Sequence, residues 1–225
     1  MIVIVGSLAW RAAAPAGPAG RACAIALAAA VAGARVEVVG RAGDDAAGDA
    51  LLLSLSNAGV GHAAVLRDPA RPTPIVAPAS PLEDADAPIM GSGGDGTAGP
   101  PGRESPGPRL EAADVDLAMR YLDPTGVLVI TDDVPLDAVA AGVDAGRFAG
   151  TRLVVLLAPG ARPGGAVPAG LPADATVLAS PDADVEPGAF EALVGSYAAA
   201  LDRGIAPEVA FAAAAGGWQA LAGSD

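Results

Sequence analysis

Two aspartate pairs carry the first hint of chemistry in this chain. Asp44 and Asp45 follow Gly43 in GRAGDDAAGDA, and Asp132 and Asp133 follow the apolar run Val127 to Thr131. Adjacent carboxylates can hold a divalent cation or share a proton. At Asp44 and Asp45 the flanking residues favour a structural role. A helical pattern begins at Ala46, an aspartate just before it can cap free N–H groups, and Gly43 and Gly48 permit a tight turn and close packing. Asp132 and Asp133 end a predicted strand, which is where α/β sheets bind ligands, and they are the better metal candidates. His62 is the single histidine, so no histidine relay can form, and it reads as a surface or satisfied side chain. The single cysteine, Cys23, excludes an internal disulfide and a cysteine-based zinc site. On an Ala-rich helix it reads as a small buried apolar group.

The elements that position these residues follow from periodicity. Strands are predicted at Ile2 to Val5, Arg35 to Val39, His62 to Leu66, Val127 to Thr131, Leu153 to Leu157 and Thr176 to Leu178. Helices are predicted at Gly20 to Ala32, Ala46 to Ala58, Glu111 to Leu122, Leu136 to Ala149, Gly188 to Arg203 and Pro207 to Leu221, several of them stopped by glycine. Alternation of strand and helix implies a mostly parallel sheet covered on both faces, with right-handed crossovers. Arg67 to Arg109 is different. It is dense in Pro, Gly, Ser and Asp and too poor in large apolar groups to offset chain entropy. An irregular or mobile loop is expected there, with a short strand near Pro74 to Ala77. No repeat or second domain is evident, so residues 1–225 read as one domain.

Composition narrows the functions. The 225 residues are 52% apolar, but Ala supplies much of this and aromatics are only 3%. The 13 basic residues, all Arg, face 26 acidic ones, giving a net charge of -13. Such a field repels phosphate backbones and anionic membranes, so nucleic acid and lipid are poor partners. It also repels nucleotides unless a local glycine-rich anion hole compensates. No apolar run is long enough for a membrane span, and MIVIVGSLAW lacks the basic start of a signal peptide, so a cytoplasmic location is expected.

The block Gly33 to Val60, GARVEVVGRAGDDAAGDALLLSLSNAGV, resembles a motif of the PfkB/ribokinase family of carbohydrate kinases. MIVIVGSL resembles that family's first strand. LEAADVDLAMRYL, GVLVITDDVPLDAVAAGVDAG and RLVVLLAPGARP resemble its middle section, and GAFEALVGSYAAALDRG its C-terminal signature Gly-Ala-Gly-Asp-Ala-Phe-Val-Gly. The resemblance implies an α/β three-layer ribokinase-like fold. Only about a dozen residues separate the first strand from the glycine turn, too few for the usual lid strands. The lid is therefore expected to be reduced or absent.

The resemblance also places the chemistry. Backbone N–H groups at the C-terminal signature stabilise the transferred phosphoryl group, and an Asp there acts as base. The aligned residues are Gly188, Ala189 and Phe190, the remnant of the anion hole, and Glu191, the remnant of the base. Phe190 puts a bulky ring where a glycine is usual. Glu191 reads either as a surviving base or as an acidic residue favourable to a helix N-terminus. On the substrate side the remnants are Arg11, Gly20, Arg21 and Asp44. The polyol-binding Asn and Asp of the family align with Ala9 and Arg11, and its glycine turn with Ala19 to Ala24. The Asn-x-x-Glu element that organises Mg²⁺ aligns with Asp182 to Val185, with Glu186 one residue off, and the Asn of the Asn-Pro-Ala-Pro turn is Ala158. Residues that serve the scaffold persist while those that serve the chemistry do not. The expected function is a degenerate homologue without phosphotransfer, acting as a binding, regulatory or dimerising module. The alternatives are an active kinase of a sugar- or nucleoside-like alcohol using Glu191, which would need Mg-ATP, and a ligand sensor with a reshaped pocket. The candidate partners are a second copy of the chain and a small molecule.

Overall fold

The computed structural model describes residues 1–76, 107–122, 125–158, 170–181 and 188–222, with the side chains of 217–222 left undescribed. Six parallel strands form the main sheet in the order β5-β4-β1-β7-β8-β9. They are β1 (Ile2–Val5), β4 (Val36–Gly43), β5 (Val60–Asp68), β7 (Val127–Ile130), β8 (Arg152–Leu157) and β9 (Thr176–Ala179). The helices are α1 (Arg21–Val31), α2 (Ala46–Asn57), α3 (Ala112–Tyr121), α4 (Leu136–Ala149), α5 (Ala189–Asp202) and α6 (Pro207–Ala222). The mostly parallel, two-sided α/β architecture read from the sequence is present.

Strand β1 explains why its sequence is a continuous apolar run. Ile2 and Ile4 enter the core beneath α1, α2 and α5, whereas Val3 and Val5 enter the core beneath α3 and α4. All four are fully buried. A strand covered on both faces has no polar side to alternate with. Each such side chain contributes roughly 1.5–3 kcal/mol of burial.

The lid is reduced, not absent. A second sheet has the order β3-β2-β6, formed by β2 (Ala9–Arg11), β3 (Gly17–Ala19) and β6 (Ile75–Val76). The dozen residues after β1 do suffice for two strands, because each needs only three residues. The turn between them contains a cis Ala14–Pro15 bond. Strand β6 falls inside the predicted short strand at Pro74 to Ala77, and Trp10 N donates to Pro74 O at 2.8 Å. Residues 77–106 of the expected loop, and the Mg²⁺-element positions 182–186, lie outside the described residues.

Helices α1 and α5 approach closely at Gly195. A Cβ there would lie 2.7 Å from Ala28 Cβ, 2.8 Å from Ala29 N and 2.8 Å from Ile25 O. Two of those three atoms are backbone and cannot yield. Gly195→Ala should therefore destabilise the protein by about 1–3 kcal/mol despite alanine's better helix propensity. Urea denaturation checks this; unchanged stability would mean that the helices separate freely.

Candidate functional site

The chain runs from β1 outward to β4 and β5, then crosses back to β7 on the other side of β1. This reversal opens a crevice at the C-terminal ends of β1 and β7, the expected ligand position in a parallel sheet. Three residues just beyond strand ends face it: Ser7 after β1, Asp132 after β7 and Ser180 after β9. Helices α1 and α5 bring their N-termini to the same place. Each is entered through a glycine in a left-handed or extended positive-φ conformation, Gly20 at φ 88° and Gly188 at φ 87°. A side chain at either position would strain the backbone.

Arg21, the first residue of α1, is the centre of this site. Its Nε donates to Glu191 Oε1 at 3.1 Å, and its Nη1 donates to Ser180 Oγ at 2.7 Å and to Asp132 Oδ1. Its guanidinium carbon lies 5.8 Å from the centre of the Phe190 ring, within reach of a cation–π contact. Side-chain exposures of 24% for Arg21, 15% for Glu191 and 9% for Asp132 place the cluster largely out of water. Burial pulls the Arg21 pKa down. The hydrogen bonds and negative charges of Asp132 and Glu191 outweigh it, so the pKa is raised above the ordinary value. Arg21 therefore stays charged, and one cation faces two carboxylates.

The sequence-derived candidates separate into two groups. Gly20, Arg21, Gly188, Ala189, Phe190, Glu191 and Asp132 assemble at the crevice. Phe190 is buried and also lines an apolar cavity of about 330 Å³ with Leu178, Pro181, Leu193 and Phe211. Asp133 turns away from Asp132. Its Oδ1 accepts from Ser7 N at 3.3 Å and from Thr131 Oγ1. Asp132, Asp133 and Ser7 together border a hollow of about 500 Å³ that also meets Pro74 and Leu110. Among the described residues, no three acidic, His or Cys side chains converge as a metal site.

Arg11 and Asp44 lie elsewhere. Arg11 is exposed on β2 and donates to Pro15 O at 3.1 Å. Asp44 is exposed and pairs with Arg67 at 3.2 Å, and Arg67 also binds Asp49 at 2.7 Å. Its neighbour Asp45 is the N-cap of α2. Asp45 Oδ1 accepts from Gly48 N at 2.7 Å and from Thr73 Oγ1 at 2.8 Å, and Oδ2 accepts from Thr73 N at 2.7 Å. Asp45 thus ties α2 to the segment that leads into β6. Cys23 is buried, which pushes its thiol up to about 12, with a smaller contribution from the charge of Asp133.

Sequence reading missed Ser180 and the three-way contact of Arg21. Ser180 follows a predicted strand, so the rule that singled out Asp132 could have found it. Asp132 and Glu191 lie 111 and 170 residues from Arg21, and no local signal joins them.

Comparison with known proteins agrees with the fold. Residues 14–78 match the family model of the pfkB family carbohydrate kinases. The PfkB protein from Polaromonas sp. JS666 aligns at 17% identity and a TM-score of 0.63, covering 99% of this chain and 96% of that one. Arabidopsis thaliana ribokinase complexed with ribose and ATP aligns at 15% identity and a TM-score of 0.62, covering 95% and 89%. An E. coli putative ribokinase II in complex with ATP and Mg²⁺ aligns at 13% identity and a TM-score of 0.62, with the same coverage. Comparison with curated protein sequences gives no match. The chain has a ribokinase-like α/β fold, and residues 14–78 match the pfkB carbohydrate kinase model.

Two outcomes test the interactions described. Hydrogen bonds from Gly48 and Thr73 outweigh burial and hold the Asp45 pKa below its ordinary value. Its contribution is therefore complete above about pH 4 and is lost as pH falls through the lowered folded value. Asp45→Asn replaces one of two accepting oxygens with an NH₂ group that cannot accept from Gly48 or Thr73; it should cost about 1 kcal/mol near neutral pH, and the gap to the wild type should close in strong acid; a gap constant across the acid range would refute the assignment. Arg21→Met leaves Asp132 and Glu191 facing each other without a cation. It should cost about 3–5 kcal/mol near neutral pH, because two largely buried carboxylates lose their shared cation. Urea denaturation of both proteins at neutral pH checks this, and equal stabilities would refute it.

Proposed function

We propose that this protein is a ribokinase-fold homologue without phosphotransfer activity that acts as a binding module. The observation that carries this reading is the engagement of Arg21 by Glu191, Asp132 and Ser180. A general base must present a free oxygen to the substrate hydroxyl. Glu191, which the resemblance aligns with that base, has its Oε1 held by a guanidinium, and that pairing turns the carboxylate toward Arg21. The cluster of one cation and two carboxylates carries a net charge of -1, which opposes the approach of a nucleotide's terminal phosphate. Asp132 and Glu191, the carboxylates gathered at the N-terminus of α5, are both paired with Arg21, and that pairing competes with any Mg²⁺ brought in by ATP. The hollow beside Asp132 and Asp133 remains a place for a small polar molecule.

A second reading, an ATP-dependent kinase of a sugar- or nucleoside-like alcohol using Glu191, has one observation in its favour. No side chain caps the N-terminus of α5, and such an end attracts phosphate.

A panel of sugars and nucleosides with Mg-ATP, assayed for ADP release, separates the two readings. The expected result is no release above background. Turnover abolished by Glu191→Ala would overturn the non-catalytic reading. Thermal shift against the same panel tests binding, and a rise in melting temperature for at least one compound is expected.

A further inference from the structure

We infer that the outer face of α3 and α4 is a self-complementary surface on which a second copy of this chain docks about a two-fold axis. On α3, Ala113, Asp116, Leu117, Arg120 and Tyr121 form one outward stripe at helical spacing, and all are exposed. Tyr121 is 80% exposed, and Phe148, near the end of α4, is 95% exposed. Large aromatic side chains left in water at neighbouring helix ends are unusual on a solitary surface and typical of interfaces.

The face offers both projections and hollows. Between α3 and α4 lies a cavity of about 700 Å³ lined by Asp116, Met119, Arg120, Ala145 and Phe148. On the other flank of α3 lies a hollow of about 230 Å³ lined by Ala64, Leu66, Leu117 and Tyr121. Helix α3 is thus a ridge between two grooves, and a second α3 can lay its ridge into the larger one.

Charge points to a second copy over an unrelated partner. The chain as a whole carries -13, which opposes self-association at most of its surface. Along this face α3 presents Asp116 and Arg120 and the C-terminal half of α4 presents Asp144 and Arg147, two charges of each sign. The Asp144 and Arg147 pair is already matched at 3.9 Å. Asp116 and Arg120 lie one turn apart. When the outer stripes of two α3 helices cross antiparallel about an axis level with the midpoint between Asp116 and Arg120, Asp116 of each copy meets Arg120 of the other. Opposite charges placed in this way fix register and select the partner. The inference does not depend on the state of the Arg21 site, since a catalytically active chain could pair in the same way.

Sedimentation equilibrium of the full chain, with circular dichroism as the folding control, tests the proposal. The wild type should dimerise in the micromolar range or tighter. Asp116→Arg alone and Arg120→Asp alone should each be monomeric, because each brings like charges together across the axis. The double variant carrying both substitutions should dimerise again. An equimolar mixture of the two single variants should form a heterodimer, as every cross-axis pair is then opposite in sign. Phe148→Asp should be monomeric while retaining the wild-type spectrum. A wild type that stays monomeric through high micromolar concentration would overturn the proposal. So would a dimer indifferent to the single charge reversals, which would place the interface elsewhere.

Discussion

The approach of α1 to α5 at Gly195 is the constraint on which the rest of this structure depends. Where a Cβ would lie only 2.7–2.8 Å from Ala28, Ala29 and Ile25, the two helices touch through their backbones. This contact runs along the same face of the sheet that buries Ile2, Ile4, Val36 and Val38. It fixes the helices' relative position, and therefore that of their N-termini. Arg21 opens α1 and Glu191 lies in the first turn of α5. Their 3.1 Å hydrogen bond is a consequence of helix packing made in the core, well away from the charges themselves.

Acidic and basic side chains do not meet at helix starts for the same reason. Glu191 is favoured in the first turn of α5 by the partial positive charge of that end, whereas Arg21 is disfavoured by the corresponding end of α1. Desolvation adds to the cost of Arg21. It remains charged because Asp132, supplied by the end of β7, joins Glu191 in surrounding it. The ion cluster is therefore three-sided by necessity: two helix starts alone would leave a buried cation underpaired. The strand that supplies Asp132 is placed by the topological reversal at β1, so sheet order and helix contact converge on one arginine.

Much of this was legible in the sequence. Leu136 to Ala149 matches α4 residue for residue, because a buried amphipathic pattern ends at a glycine that the backbone turns into αL at φ 65°. The parallel sheet was legible because strands covered on both faces read as unbroken Val, Ile and Leu. The lid strands were not. Ala9–Arg11 and Gly17–Ala19 have three residues each and no alternation, and one contains a proline. They exist because they pair with each other and with Ile75–Val76, some 65 residues away. The site was legible as a set of positions and illegible as a set of contacts. Glu191 and Arg21 could each be named from a local motif. That Arg21 reaches Glu191, Asp132 and Ser180 together depends on tertiary placement across 111 to 170 residues.

The scarcity of cations sharpens the chemical conclusion. With 13 arginines against 26 acidic residues, positive charge is the limiting resource, and much of it is committed inside the fold. Arg41 holds Asp114 through two hydrogen bonds of 2.7 and 2.9 Å and thereby anchors the start of α3. Arg67 gathers Asp44 and Asp49 at the start of α2. Arg152 donates to Leu201 O at 2.6 Å and Arg203 to Ala32 O at 3.2 Å, closing the ends of α5 and α1. Arg21 stands at the N-terminus of α5, and it too is bound to carboxylates. An anionic ligand would have to compete with Glu191 and Asp132 for it, inside a field that is already strongly negative. A neutral ligand would not have to displace that pairing.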